Sequence, residues 1–178
     1  MKTIKQLFLF TAVICLTFSL SDCNRLKAPK MVTEPFEVKF IGNYTFVGPD
    51  TLPDAKCVAP YTVWRAIVDG KGTGTPLGSY TVHFDFCGDS LSNYGNVYAY
   101  MITADGDTLF VSCTGRVVDG KLDDHPAYVV SYWRDPFEIL GGTGKFKGAT
   151  GKGTTDDYNS SEDPNSHHHW TGTITLLK

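Results

Sequence analysis

Arg65, His83 and Asp85 are residue types that orient carboxylate or carbonyl groups and move protons. His83 and Asp85 lie two apart in an alternating segment, so in a strand both point to one face. Arg65 falls in the preceding strand-like segment, which places it beside them if consecutive strands pair. The alternation sets a condition on this trio. Tyr80, Val82, Phe84 and Phe86 are the more apolar set and belong on the buried face. Thr81, His83, Asp85 and Cys87 then belong outside, where the trio is a solvated sheet surface rather than a site.

Aromatic residues supply a second set. Tyr98 and Tyr100 alternate together, as do Tyr128, Val130, Tyr132 and Arg134, and Trp64 and Trp133 also fall in strand-like runs. Tyr98, Tyr100, Tyr132, Arg134, Arg65 and Glu138 together have the make-up of a ligand pocket, apolar with a few polar groups. For each of them ordinary barrel core is the alternative. Glu138 stands next to a glycine-rich run and either caps a barrel mouth or accepts hydrogen bonds from turn amides. His167, His168 and His169 are consecutive, so an extended chain sends them to alternate sides. Only His167 and His169 can share an ion, with Asp163 or Glu162 helping. The polar loop before them, residues 160–166, favours an exposed histidine-rich turn, and no metal or cofactor is assigned. H-E-x-x-H, G-x-S-x-G and P-loop motifs are absent.

The elements that must position these residues are strands. Phe36, Val38, Phe40, Tyr44 and Phe46 share one face of a first strand. Pro49, Pro53 and Pro60 break the next stretch into a loop carrying Cys57. Residues 61–68 form a second strand, ended by Asp69-Gly70-Lys71-Gly72, and residues 79–87 a third. Residues 96–103 and 108–114 flank Asp105-Gly106-Asp107, a hairpin signal. Val117-Val118 extends the fifth strand towards a second Asp-Gly turn. Residues 128–139 form a sixth strand, interrupted near Pro136, and residues 151–158 and 169–177 form the last two. No segment sustains a helical period. Eight strands joined mainly by turns predict one antiparallel sheet that closes on itself to protect its edges. Such a barrel is filled by side chains or holds one small ligand.

The termini and cysteines bound the compartment. Lys2 and Lys5 precede an uncharged, largely apolar run, residues 7–20, in the manner of a secretory signal. Leu20-Ser21-Asp22-Cys23 is similar to a bacterial lipobox, although Asp22 replaces the usual small residue. The expected organisation is a lipoprotein signal over residues 1–22, a lipidated Cys23 with a tether over 23–35, and a barrel over 36–178. A secreted protein cleaved near Ser21 is the alternative. The lipid bilayer, reached through the acylated N-terminus in the cell envelope, is the expected partner. Cys57, Cys87 and Cys113 remain, enough for one disulfide and one thiol, and spacing alone does not choose the pair. The chain has 16 Lys and Arg against 19 Asp and Glu with no basic patch, which argues against nucleic acid.

The run Gly141-Gly142-Thr143-Gly144-Lys145-Phe146-Lys147-Gly148-Ala149-Thr150-Gly151 places five glycines in eleven residues. It follows an aromatic strand and precedes a polar one, so it is a shaped corner. With its flanks, residues 137–153, it resembles the corner shared by allene oxide cyclases, dirigent proteins and their bacterial relatives of unknown role. The resemblance implies an eight-stranded antiparallel, calycin-type barrel. The glycines of the corner permit positive φ, and Phe146 is the side chain that can plug the barrel end. Catalytic residues of those families find no matching positions here. The expected function is a lipid-anchored barrel that binds a small apolar molecule without catalysis. An isomerase or cyclase acting on an oxygenated lipid-like substrate, and a surface adhesion or carbohydrate-contact protein, are the alternatives.

Overall fold

A computed structural model describes residues 29–178 of the chain. The proposed signal and Cys23 lie outside the described residues. Strands follow in the order β1 (Met31–Gly48), β2 (Trp64–Thr75), β3 (Gly78–Gly88), β4 (Asn93–Thr103), β5 (Thr108–Cys113), β6 (Gly115–Arg116), β7 (Val118–Asp119), β8 (Val129–Trp133), β9 (Pro136–Gly142), β10 (Thr150–Ser160) and β11 (Ser166–Leu177). All pairings are antiparallel. They run β11-β1-β2-β3-β4-β5-β9-β10, and β10 pairs back onto β11, so an eight-stranded sheet closes. The short strands prolong two of these positions. β6 continues β5 along β4, and β8 continues β9 along β10, with β7 beside β8. The closed eight-stranded antiparallel barrel expected from the alternation is therefore the architecture, and closure removes the exposed edges of an open sheet.

Period two decides what lies inside. Phe36, Val38 and Phe40 of β1, Tyr80, Val82 and Phe84 of β3, and Trp170, Ile174 and Leu176 of β11 are buried in one interior cluster. Two boundaries and one facing differ from expectation. β1 starts at Met31, within the stretch assigned to the tether, because backbone pairing with Leu177 continues past the apolar face. β2 runs on through Gly70, Gly72 and Gly74 instead of stopping at Asp69. Gly72 lies opposite Phe40, and a Cβ there would stand 2.6 Å from Phe40 Cβ and 2.7 Å from Tyr80 Oη, so glycine leaves room for those rings. A bulge between Tyr44 and Phe46 pairs Phe46 with Ile67, which puts Phe46 on the outer face rather than with Tyr44.

The two ends of the barrel differ. After β9 the chain makes a 3₁₀ turn, Gly144–Phe146, with Gly144 at φ +53° and Gly148 at φ +71°. The turn inserts Phe146 into the core, where it is fully buried in the same cluster as Leu77 and Ala149 and closes that end. At the other end residues 49–63 fold back over the outside of the wall, tied by the Cys57–Cys87 disulfide, while Cys113 is a buried free thiol. The bridge spans 30 residues of sequence. A Cys57→Ser/Cys87→Ser variant is expected to lose about 3–4 kcal/mol in urea denaturation, from the restored freedom of that loop in the unfolded chain. An unchanged midpoint would mean the loop is held entirely by other contacts.

Candidate functional site

The open end, opposite Phe146, holds a cavity of about 50 Å³. Tyr44, Phe86, Val97 and Val117, half-buried, form its rim. Phe84, Tyr94, Trp133 and Trp170 form its sides, and Asp157, Ser166 and His168 are its polar part. These three come from adjacent strands, since Asp157 of β10 pairs with His168 of β11. Ser166 and His168 are two apart on β11 and share the inward face with Trp170.

Asp157 is 1% exposed. Trp170 Nε1 donates to its Oδ2 at 2.9 Å, and the His169 backbone N–H donates to Oδ1 at 3.2 Å. His168 Nδ1 lies 3.1 Å from Oδ2, an ion-pair distance. The imidazole stacks on Phe40 with centroids 4.1 Å apart. Burial raises the Asp157 carboxyl above its ordinary value, and the neighbouring His168 acts in the opposite direction. The polar chain continues past the pair. His168 Nε2 is 2.8 Å from Ser166 Oγ, whose hydroxyl donates to the Gly42 carbonyl at 3.2 Å. Tyr44 donates to Asn159 Oδ1 at 3.1 Å, and Asn159 Nδ2 donates to Ser131 Oγ at 2.9 Å.

A serine, a histidine and an aspartate in sequence suggest acyl transfer, in which a nucleophilic serine donates to the histidine. Here the Gly42 carbonyl, 3.2 Å from Ser166 Oγ, competes with His168 Nε2 for the one hydroxyl proton. Ser166 is also fully buried. Cys113 is no substitute. Burial pushes its thiol up to about 12, which leaves no thiolate near neutral pH, and its Sγ rests 3.3 Å from the Tyr94 hydroxyl. The arrangement is suited to holding one polar group at the bottom of an apolar pocket, or to exchanging a proton with it.

Gly42 is what makes room for the chain. A Cβ at Gly42 would stand 2.6 Å from Ser166 Oγ, 2.6 Å from Val68 Cγ1 and 3.2 Å from His168 Nε2. Gly42→Ala is expected to displace both polar side chains and to cost about 1–3 kcal/mol, the usual penalty of overpacking. Urea denaturation followed by tryptophan fluorescence measures both consequences, since Trp133 and Trp170 report on the pocket. An unaltered emission spectrum and midpoint would contradict the assignment.

The six ligand residues expected from sequence do not converge. Arg65 is buried, but on the outer side of the wall beneath residues 49–63. Its Nε and Nη2 donate to the two Asp85 oxygens at 2.7 Å each, and its remaining N–H groups reach Asp50 and Asp54 at 3.1 Å. Lys56 also bonds Asp85. The expectation of a solvated surface at Asp85 is thus corrected, because the covering loop turns an outer-face position into a buried one. His83 does remain on the outer wall, with Nδ1 2.8 Å from Asp69 Oδ1 and its ring stacked on Tyr100 at 5.0 Å. Tyr98 is 54% exposed beside Lys56. Arg134 spans Asp156 and Asp124 at 2.6 and 2.8 Å, Tyr132 packs against His125, and Glu138 is exposed on β9. All six have the parity opposite to the inward set. His167 and His169 bind different carboxylates, Asp163 at 2.9 Å and Glu37 at 3.0 Å. Among the described residues no group of three or more His, Cys, Asp or Glu is placed to hold a metal ion.

Sequence reasoning passed over Asp157, Ser166 and His168. The signal for His168 was present, since it shares parity with Trp170, Ile174 and Leu176. Asp157 had none, because β10 shows no apolar alternation of its own.

No protein-family model and no curated protein matches the chain. Solved structures similar to it include two dirigent proteins. The pterocarpan synthase dirigent protein GePTS1 is 14% identical over 91% of this chain and 99% of that chain, with a TM-score of 0.49. The pterocarpan synthase dirigent protein PsPTS1 is 13% identical over 83% of this chain and 96% of that chain, with a TM-score of 0.47. At these identities no residue role passes from either protein to this one.

Proposed function

We propose that the barrel is a binding module for a small, largely apolar molecule, carried on a lipid-anchored protein of the cell envelope. The observation that carries this reading is the polar group of Asp157, His168 and Ser166 beneath an otherwise apolar, aromatic pocket open at one end. Ligand sites have this composition, with apolar lining for affinity and a few polar atoms for orientation. A cavity of about 50 Å³ takes a head group rather than a whole drug-sized ligand, so the remainder of the molecule lies between Tyr44, Phe86, Val97 and Val117 at the rim. Native mass spectrometry of the protein purified from its own envelope tests the reading. The expected result is a small-molecule adduct on the wild type that is absent from Val97→Trp, which fills the rim. An adduct retained by Val97→Trp would place binding elsewhere. Anchoring is tested separately, because Cys23→Ala should move the protein from the membrane to the soluble fraction.

An isomerase or cyclase remains the second reading, favoured by one feature. Asp157 and His168 are a buried ionisable pair facing the pocket, as proton transfer requires. A surface adhesion or carbohydrate-contact protein would present tryptophans and tyrosines in an exposed row; Trp133 and Trp170 are turned inward, while Tyr98 and Tyr100 pack side by side on the outer wall.

A further inference from the structure

The charges around the pocket have one prevailing sign. Asp157 lines it, and Asp135 lies just behind, receiving the Tyr94 hydroxyl at 2.9 Å. The Asp157 charge reaches across the interior, acting to raise Tyr44, Tyr80, Cys113 and Asp135 alike, in each case after burial. Among the described residues no lysine or arginine lines the pocket. The buried arginine, Arg65, is on the far side of the wall with all five N–H groups taken by Asp50, Asp54 and Asp85. Among the described residues His168 is the basic side chain of the lining, and its Nδ1 stands 3.1 Å from the carboxylate. Its ring already sits among aromatic neighbours, stacked on Phe40, with Phe84 at 6.1 Å and Trp133 at 5.7 Å. Rings around a carboxylate form an environment that attracts organic cations, because the ring faces carry negative charge density and the site is shielded from water.

Resting on the reading of the pocket as a ligand site, we propose that its ligand is an apolar amine. The ammonium head lies against Asp157 among the rings of Phe84, Trp133 and Trp170, and the hydrocarbon part lies at the rim. An ammonium N–H adds a second positive donor beside the His168 imidazole. A carboxylate head would meet Asp157 and Asp135 with like charge, and an alcohol would bring the carboxylate no charge beyond that of His168.

Three probes of similar size and different charge test this on the full chain: hexylammonium, 1-hexanol and hexanoate, titrated at neutral pH while tryptophan fluorescence is followed. The expected order is hexylammonium tighter than hexanol by about tenfold or more, with hexanoate weakest. Asp157→Asn, shown to be folded by circular dichroism, should bring hexylammonium to the level of hexanol. Should that variant not fold, the charge series on the wild type decides alone. Hexanol binding as tightly as hexylammonium, or hexanoate tightest, overturns the cation assignment and leaves the apolar pocket standing. No binding by any of the three overturns both.

Discussion

Arg65→Met is expected to destabilise the protein by about 3–5 kcal/mol, because it removes one partner of a buried ion pair and strands the other. Arg65 and Asp85 are 1% and 3% exposed, and the bidentate contact between them is the centre of the cluster that fastens residues 49–63 to the wall. Methionine keeps much of the length and none of the five donors. Lys56 still reaches Asp85, so the carboxylate is not left wholly alone, but Asp50 and Asp54 lose their guanidinium contacts. Urea denaturation measures the effect, and a loss below about 1 kcal/mol, the range of surface pairs, would contradict it. The same cluster sets a pH dependence. Burial pushes the Asp85 carboxyl up, but hydrogen bonds from Arg65 and Lys56 outweigh it and hold the group below its ordinary value. The Cys57 and Lys56 backbone N–H groups and then Arg65 lower Asp50, and Arg65 lowers Asp54. A carboxyl depressed in the folded state adds stability at pH values above its unfolded pKa and loses it as pH falls through the folded one. The wild type should therefore weaken on acidification below about pH 4, and Arg65→Met should show a shallower decline over the same range.

Phe146→Ala should cost about 3–5 kcal/mol as well, by a different mechanism. Phe146 is fully buried, held in a 3₁₀ turn whose backbone is fixed at both ends, Thr143 N–H to Thr108 O and Ala149 N–H to Phe146 O. The turn cannot easily collapse into the space left by the ring, so the lost transfer energy and the cavity add. Because the plug is at the end away from Asp157, ligand affinity per folded molecule should not change. A variant as stable as wild type would show that the corner does not close the barrel. A large change in affinity would show that the two ends are coupled.

How far these features were legible in sequence depends on what each depends on. The interior face of β3 was readable because Tyr80, Val82, Phe84 and Phe86 alternate with polar residues, and a closed sheet buries one face only. The continuation of β2 was not, because Gly70, Gly72 and Gly74 look like a turn in composition. Their role comes from neighbouring strands, where Val82 stands against Gly70, Phe40 and Tyr80 against Gly72, and Val38 against Gly74. Asp85 was correctly put outside the barrel, yet its burial comes from a loop that returns over the wall. Single-strand parity carries no information about such a cover. The Cys57–Cys87 pairing has the same origin. The polar chain at the pocket was missed because Asp157 lies in a strand without alternation and acquires its meaning from the register that pairs it with His168. Tyr98, Tyr100, Tyr132, Arg134 and Glu138 were credible ligand residues by type. Each is excluded from the interior by parity, which the strand pairing sets.

The most direct measurement is a ¹H–¹⁵N NMR titration of the full chain with hexylammonium, following the indole N–H signals of Trp133 and Trp170. Both rings line the pocket, and the Trp170 Nε1–H is held by Asp157. A ligand at the open end of the barrel predicts saturable shifts of both indole signals and of the Gly42 and Val97 amides. Shifts confined to the outer-wall amides of Tyr98 and Tyr100, with both indole signals unmoved, would contradict a ligand site inside the barrel.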